Sequence, residues 1–324
     1  MPRLEGSRRH PDHPGSQPRL MAPGSARRVL VSGASGFIGT ELCRQLEVDG
    51  HTVLKLVRRE PRNESEFRWS PTDGTIDAAA IETADAVVNL AGATTGRIPW
   101  THSYKKKILD SRVVGTRVLV DAIRSAASPP AVLVNGSAVG YYGDRGDEIL
   151  DETSSKGTGF LSNVVEKWES AALKASDVTR VVLPRTGVVV GNGGAFTPLL
   201  PLTRFGLGSR FGSGKQFWPW ISLHDEAAAL AFLLQYSLDG VVALAGPQAA
   251  TSGEITAQLA EALGRWHPFV VPTFAIKALG DAGRELLLAS QRVVPTRLTQ
   301  AGFVFRDTTS ADAIERAFGR AQDQ

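Results

Sequence analysis

The sequence is poor in the residues that build covalent or metal-centred frameworks. One cysteine, Cys43, stands among 324 residues, which excludes an internal disulfide framework and any cysteine-rich zinc site. Six histidines are scattered without an HExxH pattern, so no metal is expected. Long apolar runs are missing too. The longest uncharged stretch, Thr186–Thr203, holds four glycines and two prolines and reads as no spanning helix. Nor is there excess charge across most of the chain. Arg3, Arg8, Arg9, Arg19, Arg27 and Arg28 against Glu5 and Asp12 give residues 1–28 a balance of +4 within a total of +3, leaving −1 for 29–324. The basicity is therefore confined to one end, and no nucleic-acid partner is expected. Residues 1–27, rich in Pro, Gly, Ser and Arg, read as a disordered basic tail. Without a secretory core segment, a membrane anchor or disulfides, the expectation is a cytoplasmic protein with no membrane contact.

What is present is a regular alternation. Short apolar runs at Arg28–Ser32, His51–Val57, Asp85–Leu90, Ala131–Val134 and Arg180–Leu183 read as buried parallel strands. Between them, Gly36–Val48, Lys105–Ala126 and Phe160–Ala175 carry apolar residues at helical spacing. Strand–helix repeats of this kind call for an α/β fold, a doubly wound parallel sheet covered on both faces. Beyond residue 190 the pattern loosens into a glycine- and proline-rich stretch with scattered aromatics. A helix at Asp225–Gln235 and a last core strand at Val241–Ala245 follow. Further helices at Glu254–Leu263, Thr273–Ala289 and Ala311–Phe318 suggest a smaller C-terminal lobe. The division expected is a nucleotide-binding domain over 28–190, rejoined by 221–246, and a substrate lobe from 191–220 and 247–320.

Gly33-Ala-Ser35-Gly36-Phe37-Ile38-Gly39 lies between the first strand and the first helix. In that context Gly33 permits a tight turn, Gly36 lets backbone approach a pyrophosphate, and Gly39 allows helix–sheet packing. The second strand ends Val57-Arg58-Arg59, with no carboxylate where NAD ribose hydroxyls would be held. Two guanidinium groups there match a 2′-phosphate, so NADP is the expected cofactor. Solvated surface arginines are the plain alternative.

Gly33–Gly39 followed by Asn89-Leu90-Ala91-Gly92 resembles the short-chain dehydrogenase/reductase superfamily. Trp100 through Ser111-Arg112, Gly140–Gly143, Trp168-Glu169, Arg185–Val189, Gly206–Gly208, Gly212–Gln216 and Trp220–Asp225 narrow the resemblance to its extended, atypical "epimerase family" branch. The resemblance covers about residues 28–320. It implies a Rossmann-type domain with a smaller C-terminal substrate lobe, and NADP lying along Val57, Arg58, Leu90, Ala91, Lys107, Arg112 and Val189.

Catalytic members of the superfamily carry Tyr-x-x-x-Lys on one helix, where the lysine activates the phenol. This chain has none: four residues after Tyr104, Tyr141, Tyr142 and Tyr236 come Ile108, Arg145, Gly146 and Gly240, and the expected helix offers Phe160 and Val164. The remaining candidates are Ser137, Tyr141 and Tyr142, with loop packing as the other reading of the two tyrosines. His224-Asp225 reads as the cap of the following helix. Phe196, Phe211, Phe217, Trp218 and Trp220 form either a substrate wall or a satellite core. Two functions follow: hydride transfer on a small polar, sugar-like or carbonyl substrate, or NADP-dependent regulation without catalysis.

Overall fold

A computed structural model of the chain describes residues 27–319; all of the expected tail but Arg27 lies outside the described residues. The strands of the central sheet are β1 (Arg28–Ser32), β2 (Thr52–Val57), β3 (Glu66–Ser70), β4 (Thr75–Ile76), β5 (Ala86–Asn89), β6 (Val132–Asn135), β7 (Arg180–Thr186) and β8 (Gly240–Leu244). Their order in space is β8-β7-β6-β5-β1-β2-β3-β4. Every pairing along it is parallel except β3 with β4. The short strand Ser137–Ala138 adds to β7.

The pleat explains the two-sided burial. In β1, Val29 and Val31 face one core and Leu30 the other. One face is covered by α1 (Phe37–Val48) and α6 (Leu223–Gln235), through Leu42, Leu46, Leu230 and Leu233. The opposite face is covered by α2 (Ala78–Glu82), α3 (His102–Ser125) and the end of α4 (Phe160–Ala172), through Ile81, Leu119, Ile123 and Ala172. Each such buried aliphatic side chain contributes about 1.5–3 kcal/mol relative to exposure.

A second core joins α5 (Leu199–Arg204) and α7 (Ser252–Ala262) to the C-terminal helix Ser310–Phe318. Phe196, Trp218, Trp220, Ile255, Leu259 and Ile314 fill it. Of the aromatic residues offered as a substrate wall, Phe196, Trp218 and Trp220 are thus satellite core. The chain order 5-1 in the sheet reverses direction at β1, and the crevice beyond the strand ends at that point is where an open α/β sheet takes its ligand.

Candidate functional site

The crevice is built from three strand ends. After β1 the chain turns at Gly33, whose φ is +73°. A Cβ there would sit 2.9 Å from the Leu90 carbonyl carbon, and one at Gly39 would run into the Gly33 carbonyl oxygen. Only glycine lets α1 start this close to β5. Gly36 is the N-cap of α1 and offers no side-chain cap, and the first turn holds no acidic residue. The start of α1 therefore keeps its partial positive charge without side-chain compensation, next to the crevice that Gly33–Gly36 line.

The second wall is the segment Leu90–Thr94 after β5. A buried polar network fixes it. Ser32 Oγ donates to Asn89 Oδ1 at 2.5 Å and accepts from Ala91 N. Asn89 Nδ2 donates to Asn135 Oδ1 and Thr116 Oγ1, and the Trp168 indole donates to the same Thr116 hydroxyl. Arg112 Nη1 donates to the carbonyls of Ala93 at 3.0 Å and Ile108 at 3.2 Å, with its guanidinium over the Trp168 ring. Burial lowers that guanidinium to a pKa of about 10.

The third wall is the end of β2. Arg59 forks onto Glu66 at 2.6 and 2.7 Å, and its hydrogen bond pulls the Glu66 carboxyl down to about 2. Arg58 has no ion-pair partner among the described residues and opens on the crevice. Trp69, Pro71 and Thr72 from the β3–β4 hairpin close that end; Tyr104, Lys107 and Ser111 on α3 close the far side.

Gly33, Ser35, Gly36, Val57, Arg58, Arg59, Leu90, Ala91, Gly92 and Lys107 accordingly line one crevice of about 1660 Å³. Five other residues expected on the cofactor stand outside its lining. The Phe37 ring packs against the backbone of Gly191, Gly193 and Gly194, and Ile38 packs into the sheet core. Gly39 serves close packing. Arg112 lies behind Gly92 as a buttress of the wall, with Nη1 bonded to the carbonyls of Ala93 and Ile108. Val189 is buried beside Ile221, its neighbour in a two-stranded parallel pair. Arg59, although on the lining, is committed to Glu66, so of the two arginines at the end of β2 Arg58 is the one left for an added anion.

The expected catalytic residues divide as well. Tyr142 is fully buried and donates its hydroxyl to the Asp151 carbonyl at 2.8 Å; burial pushes its phenol up to about 12. It is a core residue, which corrects its candidacy. Ser137 is buried and donates to Glu169 Oε1 at 2.5 Å. Glu169 in turn receives Arg185 Nε at 2.8 Å and Nη2 at 2.9 Å. The same guanidinium lies 3.4 Å from the centroid of the Tyr141 ring. Burial opposes the charge on Arg185, but its hydrogen bonds to Glu169 outweigh that and hold it above its ordinary value. Ser137, Glu169, Arg185 and Tyr141 form one assembly beside β6 and β7. Ser222, not His224-Asp225, caps α6. Asp225 is instead buried and accepts the backbone N–H groups of Arg306 and Asp307.

Phe160 and Val164, where the phenol and ammonium would stand, belong to an apolar cluster with Trp100, Ile108 and Ala282. Three features escaped the sequence reading: the Trp69–Thr72 wall, Arg97 above the Tyr104 ring, and Tyr104 itself, the one tyrosine on the crevice lining among the described residues. The i,i+3 spacing of Tyr104 and Lys107, which puts both on one helix face, was the available signal.

The donors present fit a dinucleotide. An uncapped helix start reached through glycines suits a pyrophosphate, and an unpaired arginine at the end of β2 suits a phosphate on the ribose.

The comparisons with known proteins agree with this geometry. The family model "NAD dependent epimerase/dehydratase family" matches residues 29–246, and a domain of unknown function (DUF1731) matches 271–317. An epimerase family protein of Mycobacterium leprae is 41% identical over 305 residues, 93% of this chain and 99% of the relative. Human epimerase family protein SDR39U1 is 37% identical over 284 residues, 86% of this chain and 95% of its own. A crystal structure of that human protein with NADPH superposes with a TM-score of 0.82 at 35% identity, covering 90% of this chain and 98% of that one. A nucleoside-diphosphate sugar epimerase from Corynebacterium glutamicum gives 0.74 at 31%, covering 91% and 59%. A parallel sheet with its crevice at the β1/β5 reversal, matched over most of the chain by these relatives, means that the chain belongs to the NAD dependent epimerase/dehydratase family.

Proposed function

We propose that this protein binds NADP(H) in the β1/β5 crevice and transfers hydride at a carbinol or carbonyl carbon of a small polar substrate, as an oxidoreductase or a sugar epimerase. The observation that carries the reading is the pairing of an uncapped, acid-free α1 start with the unpartnered Arg58 in one crevice. The human relative crystallised with NADPH supports the same cofactor. When bound, the dinucleotide supplies or accepts the hydride. The α1 amides hold its pyrophosphate, Arg58 its 2′-phosphate, and Leu90–Gly92 and Lys107 its flank. Ser137 and Tyr141 orient the substrate oxygen, held in place through Glu169 and Arg185.

The second reading, a non-catalytic NADP(H)-binding regulator, is favoured by one observation: Phe160 and Val164 are packed among apolar side chains and move no proton. Fluorescence titration of NADPH and NADH tests the shared part. Arg58→Ala should weaken NADPH by about 1.5–3 kcal/mol, the worth of a charged hydrogen-bond partner, and leave NADH nearly unchanged. If neither nucleotide binds the wild-type protein, both readings fall. Oxidation of bound NADPH on adding a panel of small carbonyl compounds separates the enzyme from the regulator.

A further inference from the structure

Of the large apolar side chains that the fold leaves exposed, a cluster falls in two short segments, 202–207 and 266–279. The sequence places Phe205 and Trp266 61 positions apart, but the fold joins their segments. Strand Ser209–Phe211 pairs in parallel with strand Phe269–Val271, Ser209 opposite Phe269. In a parallel pair both chains enter at the same end, so the stretch after Phe205 and the stretch after Trp266 lead in together, with a Cβ at Gly208 in van der Waals reach of His267. Phe205 is 83% exposed and Trp266 84%. Both are tips rather than walls of a groove. Each follows a cation directly in sequence, Arg204 and Arg265, and both of those are exposed.

The charge here is one-sided. Residues 199–210 and 264–280 contain no aspartate or glutamate, while Arg204, Arg210, Arg265 and Lys277 are all exposed. None of these four has an ion-pair partner among the described residues. A second copy of this face would set like charges against each other. A deep apolar groove, which a partner helix would need, is also lacking: the hollow between α5, α7 and these strands holds only about 50 Å³. Protruding aromatic tips flanked by unneutralised cations match a soft, anionic, apolar-beneath surface.

We propose that this face of the second core docks peripherally on a bilayer containing anionic phospholipid, with Phe205 and Trp266 entering the headgroup boundary and Arg204 and Arg265 on the phosphates. The absence of a membrane-spanning helix among the described residues does not bear on such a face. The expectation of no membrane contact rested on the lack of a secretory segment, an anchor and disulfides, none of which bears on peripheral docking.

The protein carries its own reporter. Trp69, Trp100, Trp168, Trp218 and Trp220 are all buried, and Trp266 is the one exposed indole of six. Acrylamide quenching of the full chain should therefore drop when vesicles of phosphatidylcholine mixed with phosphatidylglycerol are added, not with phosphatidylcholine alone, and return in high salt. In sedimentation with the mixed vesicles, Arg204→Gln/Arg265→Gln should partition roughly tenfold or more weakly, at about the worth of two surface cations. Phe205→Ser/Phe269→Ser should weaken binding while keeping the reporter, and circular dichroism of both variants checks that they fold. Three results overturn the proposal. One is unchanged Trp266 quenching with anionic vesicles. Another is undiminished binding by both variants, which assigns it to the basic tail. The last is protection of Trp266 that rises with protein concentration without lipid, which assigns the face to a second copy.

Discussion

Glu169 is the side chain on which the assembly beside β6 and β7 turns. Its two oxygens take Ser137 and both forks of Arg185, and neither it nor Arg185 is more than slightly exposed. Removing one partner of a buried pair leaves the other charge without compensation, at a cost of about 3–5 kcal/mol. Glu169→Ala should lower the urea midpoint accordingly, and Ser137→Ala should cost only about 1 kcal/mol, the net worth of one hydrogen bond. An Ala variant at Glu169 as stable as wild type would show the pair to be solvated. At this scale the sequence was legible where backbone chemistry decides, as at Gly33, Gly36 and Gly39. It was illegible where a partner decides. Arg58 and Arg59 are neighbours of one type, and only the fold brings Glu66 to the second. Tyr141 and Tyr142 are likewise adjacent, yet one stacks on Arg185 and the other vanishes beneath Leu150 and Val293.

Helix α4 shows how an element can be completed by a distant segment. Its N-cap position is Gly159, which brings no side chain. The cap comes instead from Glu285, whose two carboxylate oxygens accept from Phe160 N at 2.8 Å and Leu161 N at 2.7 Å. Burial raises the Glu285 pKa, and these two N–H groups oppose that. Glu285 reaches them because the expected helix Thr273–Ala289 is not continuous. It breaks at Gly280, where φ is +68°, and runs on as the π-turn Arg284–Leu288. The wider i→i+5 turn re-aims its side chains. Periodicity alone showed an unbroken apolar pattern there and could not register the break. Loss of a cap costs about 0.5–2 kcal/mol. Glu285→Ala should therefore destabilise by that amount and speed hydrogen exchange at Phe160 and Leu161 selectively, with Glu285→Gln in between. Uniform exchange across the chain would remove Glu285 as the cap. The strands of the sheet, by contrast, were legible almost to the residue, because burial on both faces makes them continuous apolar runs. The β3–β4 hairpin was not, since Glu66–Ser70 reads polar and only Trp69 is fully buried in it.

At the scale of the whole molecule, Glu226 is the acid among the described residues that burial raises furthest, and it couples stability to pH. Glu226 on α6 lies wholly inside, between the helix and the end of β7. Thr186 Oγ1 donates to its Oε1 at 2.7 Å, and its Oε2 has no hydrogen-bond partner. Burial pushes its pKa up to about 8, against about 4.3 for an exposed glutamate in the unfolded chain. Between those values the folded state keeps a proton that the unfolded state has lost. The native form binds more protons, so stability falls as pH rises through that window and levels off above it. Glu226→Gln preserves the shape and the Thr186 hydrogen bond without a titrating proton. It should be close to wild type near pH 5 and more stable than wild type at pH 8, read by thermal unfolding of both proteins across the range. Parallel pH curves would place the ionised carboxylate in the fold. Thr186, which holds Glu226, directly follows Arg185 on β7, and Gly187 N is bonded to Leu244 O of β8 at 2.9 Å. Arg185 lies opposite Ser137 in the pairing of that strand, so the buried acid and the assembly proposed for chemistry are held by the same strand.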